Sequence, residues 1–178
     1  MDGTIYLSET LFDGTLEFLR YVRAIGGNGD SRNSSSNAGH GIYSGGKLTI
    51  KGDIGTAQGG KGKTTAGHGI YSKGDLNISD NATITNATGG ASTDGYAGDG
   101  IHSDGKLTIS GGTIGTTQGG TGKSGGAGIY SKDDLSIESG TIGSLGTDGK
   151  TPDTTTGALG GTSTAEAKGG NGIQNVSS

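Results

Sequence analysis

The chain contains no cysteine and no tryptophan, and it has a single proline and a single methionine. Without cysteine there is no disulfide framework to stabilise a small secreted scaffold. One proline and no G-X-Y period exclude a collagen triple helix. Only 27% of the residues are hydrophobic, less than a compact globule of this length uses to offset chain entropy. Disorder, or a repeat fold with a narrow core, remains. No run approaches the ~20 apolar residues of a membrane span, so no membrane insertion is expected. A net charge of −4 argues against a nucleic-acid footprint. The opening Met1-Asp2-Gly3-Thr4 lacks the basic and apolar regions of a signal peptide. The expectation is a fragment of a longer surface protein.

Glycine is what the chain has in excess: 42 of 178 residues, about three times the ordinary share. It is arranged in a repeat. Gly-Ile-Tyr-Ser occurs at 41–44, 69–72 and 128–131, and Gly100-Ile101-His102-Ser103 is a fourth copy. Ile42, Ile70, Ile101 and Ile129 are therefore 28, 31 and 28 residues apart. Thr4-Ile5-Tyr6 is a weaker copy, and Gly172-Ile173-Gln174 begins another. Fixed self-similarity at this period marks a solenoid.

Each copy holds three short segments with strand-like alternation. The first is Ile42-Tyr43-Ser44 and its copies. The second is Lys47-Leu48-Thr49-Ile50, matched by the segments ending at Ile78, Ile109 and Ile137. The third centres on Ile54, Ile84, Ile114 and Ile142. Three strands per ~28 residues suit one coil, rising ~4.8 Å to the next. The expected fold is all-β: a right-handed parallel β-helix of about five coils, with handedness from the general crossover rule. The coils fall at about 1–40, 41–68, 69–99, 100–127 and 128–171, with a partial coil over 172–178. All belong to a single domain over 1–178. Expected inward ladders are Ile42/Ile70/Ile101/Ile129, Leu48/Leu76/Leu107/Leu135 and Ile50/Ile78/Ile109/Ile137. Lys47, Asp75, Lys106 and Asp134 share an outward position and alternate in sign, which favours this register. Residues 11–25 read as a first coil, with a capping helix over 16–24 as the alternative. The open coil ends are expected to meet another chain or the rest of a longer protein.

The coil Asp99-Gly100-Ile101-His102-Ser103-Asp104-Gly105-Lys106-Leu107-Thr108-Ile109-Ser110-Gly111-Gly112-Thr113-Ile114 resembles a D-G-I-x-S-D-G-x-L-T-I-x-G-G-T-I repeat. That repeat belongs to carbohydrate-binding β-helix domain proteins of anaerobic, polysaccharide-degrading bacteria. The resemblance covers residues 41–145. It implies an extracellular or cell-surface protein, secreted and adhesive, that binds polysaccharide. It also implies Ca²⁺ held by acidic residues of the coils; otherwise no cofactor is expected. Asp99 is replaced by His40, His68 and Ala127 in the other coils.

The candidate ligand-binding residues are the outward ladder Tyr43, Tyr71, His102 and Tyr130, preceded by Tyr6. Flat aromatic faces stack on sugar rings, and stacked tyrosines also stabilise a sheet face without any ligand. His40, His68 and Asp99 occupy one column and could approach a metal. Their glycine-rich corners and Ala127 in the fourth position favour turn packing, so no metal ligand is assigned. The stretch 57–64, Ala-Gln-Gly-Gly-Lys-Gly-Lys-Thr, satisfies a permissive phosphate-loop pattern, but the glycines that follow cannot sustain the helix such a loop needs. The carboxylates are dispersed or matched to lysines, so no catalytic residue is assigned and an enzyme is not expected. Three functions stay open: a polysaccharide-binding or adhesive module, a structural spacer, and an ice-binding module using the Thr49/Asn77/Thr108/Ser136 column.

Overall fold

The computed structural model describes residues 14–29, 37–79, 81–143, 157–164 and 169–177. Every regular element among them is a β-strand, and every pairing is parallel. After β1 (Gly14–Ile25), the first full turn holds β2 (Ile42–Ser44) and β3 (Leu48–Gln58). The second holds β4 (Ile70–Ser72), β5 (Leu76–Ile78) and β6 (Thr83–Thr88), and the third β7 (Ile101–Ser103), β8 (Leu107–Ile109) and β9 (Thr113–Gln118). The fourth holds β10 (Ile129–Ser131), β11 (Leu135–Ile137), β12 (Thr141–Ile142) and β13 (Gly157–Leu159), and β14 (Ile173–Asn175) follows. The architecture is a parallel β-solenoid of about four turns, with β1 and β14 continuing it at either end.

Alternation within each short strand sets the core. The outer residues of Ile-Tyr-Ser and Leu-x-Ile point inward, and the middle one stays half-exposed. Ile42 pairs with Ile70, Ile70 with Ile101, and Ile101 with Ile129. The Leu48, Ile50 and Ile54 ladders stack in the same way. Ile42, Leu48, Ile50, Ile54 and their copies in the second and third turns are fully buried. Each contributes about 2 kcal/mol of burial. Ile137, at the last rung of its ladder, is 49% exposed.

Two inward columns are not aliphatic ladders. Ser44, Ser72, Ser103 and Ser131 are buried, with hydroxyls directed at carbonyls of the adjoining turns. From Ser72 onward each hydroxyl also reaches the turn of the preceding coil, as in Ser72 Oγ to Gly46 O at 2.8 Å. The third strand runs past its central isoleucine, so Ala57, Ala87 and Thr117 are buried in register.

Much of the glycine forms a seam. Each coil leaves its third strand through a Gly-Gly pair and returns through one glycine, as at 59–60 and 67, or 89–90 and 98. The two passages hydrogen-bond in a zigzag through the stack. Gly67 N–H donates to Gly60 O at 3.0 Å, Gly90 N–H to Gly67 O at 2.8 Å, and Gly98 N–H to Gly90 O at 3.0 Å. A Cβ on Gly90 would lie 1.9 Å from Gly60 O, so only glycine permits this approach. Residues 61–66 and their equivalents lie beyond the seam and pair through isolated bridges such as Gly62↔Ser92 and Thr65↔Tyr96. These outer segments therefore form a second, smaller stack.

The capping helix considered for 16–24 is not formed: β1 is an extended strand on β3. Its register pairs Gly14 with Leu48 and Leu16 with Ile50. The pairing breaks between Phe18 and Val22, which an exact repeat would not do.

Candidate functional site

The middle residues of β2, β4, β7 and β10 form one outward column, so Tyr43, Tyr71, His102 and Tyr130 stand in register. Gln174 takes the next rung. Tyr6 lies outside the described residues. Ring centroids are 5.4 Å apart for Tyr43–Tyr71, 5.1 Å for Tyr71–His102 and 4.4 Å for His102–Tyr130. The last pair is stacked at 16°, and Tyr71–His102 meets edge to face. Coil spacing therefore brings these rings into contact with each other, and the faces engaged in those contacts are not free for a ligand.

Three residues earlier in each repeat, on the far side of a glycine, lies the His40/His68/Asp99/Ala127 column. Its logic is a capping ladder. His40 Nδ1 accepts the backbone N–H of His68 at 3.0 Å, and His68 Nδ1 accepts that of Asp99 at 2.9 Å. Asp99 Oδ1 accepts that of Ala127 at 2.5 Å. Each acceptor satisfies a backbone donor one coil further on. Histidine and aspartate both supply an acceptor, which explains why they interchange here.

The two columns fuse into one strip. His40 and His68 stack at 5.1 Å and 4°, and His68 lies 4.3 Å from His102. His102 Nδ1 sits 2.6 Å from Asp99 Oδ2, and its Nε2 lies 3.4 Å from Asp104 Oδ1. Tyr71 donates its hydroxyl hydrogen to Asp104 Oδ2 at 2.6 Å. The sequence places Asp99 and Asp104 in columns separate from the one that Tyr71 and His102 share, and only the coil geometry brings the four together. Histidine at the tyrosine position of the third coil, beside the lone aspartate of the capping column, is the signal that could have shown it.

Burial, with His68 and His102 adding to it, pushes the His40 imidazole down to about 3. Burial lowers His68 as well, in keeping with a neutral ring whose Nδ1 lone pair takes the Asp99 N–H. Since that nitrogen is an acceptor, its 3.4 Å approach to Asp99 Oδ2 is not a hydrogen bond. Burial opposes the charge of Asp99, but His102 outweighs it and holds the carboxyl well below the usual range. Asp104 is also lowered: burial opposes its charge, and Tyr71 and His102 override it. Burial, then the Asp104 contact, raises the Tyr71 hydroxyl; burial and nearby carboxylates raise Tyr130.

The remaining candidates stand apart from this strip. In residues 57–64, Ala57 and Gln58 end β3, Gly59 and Gly60 lie in the seam, and Lys61 begins the outer stack. Gly62 N–H is bound to Ala91 O, and no helix follows among the described residues, so no phosphate cradle forms. Thr49, Asn77, Thr108 and Ser136 are in register and outward. Asp75 Oδ1 takes the backbone N–H of Lys106 at 3.0 Å, so one rung of the Lys47/Asp75/Lys106/Asp134 column is joined by a hydrogen bond. Among the described residues, the one group with metal-ligating donors in mutual reach is His68, Asp99 and His102, within 4.8 Å of one another.

Compared with family models, with curated proteins and with solved structures, the chain matches none of them.

Proposed function

We propose that the chain is a non-catalytic structural module: a β-solenoid spacer of an extracellular bacterial surface protein, stapled along one side by its Tyr–His strip. One observation carries this reading. The strip's groups are engaged by neighbouring coils: the capping acceptors by backbone N–H groups, Tyr71 by Asp104, and ring faces by ring faces. The extracellular surface setting rests on the repeat's resemblance to secreted arrays.

A second reading, polysaccharide binding or adhesion through Tyr43, Tyr71, His102 and Tyr130, is favoured by the Tyr71–Asp104 pair. It presents a hydroxyl and a carboxylate beside half-exposed rings, groups that hydrogen-bond sugar hydroxyls. Retention on immobilised polysaccharides, measured with thermal unfolding, separates the two. The spacer reading expects no saturable retention and a lower Tm for Tyr130→Ala. Saturable retention that Tyr71→Ala abolishes removes the spacer reading and leaves the binding module.

A further inference from the structure

We propose that His68, Asp99 and His102 form a binding site for one divalent transition-metal ion, of the Zn²⁺, Co²⁺ or Ni²⁺ class. This goes beyond the spacer reading and does not depend on it. The three residues come from two successive coils, and their donor atoms lie within 4.8 Å of one another. Asp99 Oδ2 is the centre of the group, 2.6 Å from His102 Nδ1 and 3.4 Å from His68 Nδ1. The other carboxylate oxygen is held by Ala127 N–H, which fixes the orientation of Oδ2 toward the two imidazoles.

Two imidazoles and one carboxylate select a borderline metal over Ca²⁺ or Mg²⁺, which take all-oxygen shells. The His68 ring already carries its lone pair on Nδ1, because that atom accepts the Asp99 N–H. A metal there competes with the Asp99 N–H for that lone pair. At His102, the ion takes Nδ1 in place of the contact with Asp99, and the neutral ring carries its one proton on Nε2. On its far side, Nε2 faces Asp104, which is held in turn by the Tyr71 hydroxyl. A carboxylate behind a ligating imidazole is the outer support that metal-binding histidines use. Side-chain exposures of 17% for His68, 12% for Asp99 and 15% for His102 leave a sheltered but open approach for an ion and a water ligand.

The test is calorimetric titration of the untagged, chelator-treated chain with Zn²⁺, and with Co²⁺ followed by visible absorption. The expected result is one ion per chain and a higher Tm with Zn²⁺ present. His102→Phe, which keeps an aromatic ring in the stack, abolishes saturable binding. His68→Asn does the same while retaining an acceptor for the Asp99 N–H. Asp104→Ala weakens binding about tenfold or more, and His40→Asn leaves it unchanged. Absence of saturable binding in the folded wild type overturns the proposal, as does binding that survives in both His102→Phe and His68→Asn.

Discussion

His68 Nδ1 accepts the backbone N–H of Asp99 at 2.9 Å across 31 residues of sequence, so a side chain of one coil completes the hydrogen bonding of the next. Removing the acceptor leaves a largely buried donor unsatisfied, at about 1–3 kcal/mol. His68→Ala is expected to destabilise by that amount, and His68→Asn, which restores an acceptor, by clearly less. Urea unfolding of the two variants checks this. Equal losses would mean that ring packing dominates over capping.

Acid should weaken the strip. His40 titrates near 6.5 when unfolded and near 3 when folded, so between those values the unfolded chain binds the extra proton. His68 shifts in the same direction. Stability therefore holds above pH 6.5 and falls as pH drops below it, by up to about 1.4 kcal/mol per pH unit for each histidine. Asp99, held low, adds a further loss below the ordinary carboxylate range. Urea midpoints from pH 8 to 4, with chelator present, should show this fall, and His40→Asn/His68→Asn should flatten it. A midpoint that stays constant from pH 7 to 4 contradicts the assignment.

The glycine seam separates two substitutions that look alike in sequence. In Gly90→Ala the new Cβ meets Gly60 O at 1.9 Å, whereas at Gly27 nothing lies within 4 Å. Gly90→Ala is expected to cost at least about 4 kcal/mol or to prevent folding; Gly27→Ala should shift Tm by only a few degrees. Circular-dichroism melts of both variants check the seam directly.

Thr117 stands where the neighbouring coils have Ala57 and Ala87, and its buried Oγ1 finds no hydrogen-bond partner among the described residues. Thr117→Val keeps the volume and removes the stranded hydroxyl. A gain of about 1 kcal/mol in unfolding free energy is expected. A loss would show that the hydroxyl has a partner in solution.

The isoleucine and leucine ladders and the Tyr43/Tyr71/His102/Tyr130 register were legible because side chains alternate with the strand period and repeat with the coil. The seam was not, because a glycine carries no side chain to pattern, and its role lies in two backbones approaching each other. The clue was positional: Gly-Gly after Gln58, Thr88 and Gln118, and one glycine before His68, Asp99 and Ala127. Ser44 and its copies read as strand residues of no particular weight, since serine is small enough to face inward while bonding the turn. The meeting of His102 with Asp99 was hidden because strand alternation says nothing about neighbours across a glycine corner.

Affinity electrophoresis of the folded chain through gels containing plant and bacterial polysaccharides, with Tyr71→Ala and Tyr130→Ala alongside, tests the central claim. If the strip is a staple between coils, the wild type migrates unretarded in every gel, and both variants migrate with it while melting at lower temperature. Retardation of the wild type in one polysaccharide, lost in both variants at a temperature where they remain folded, would contradict the spacer and make the strip a binding face.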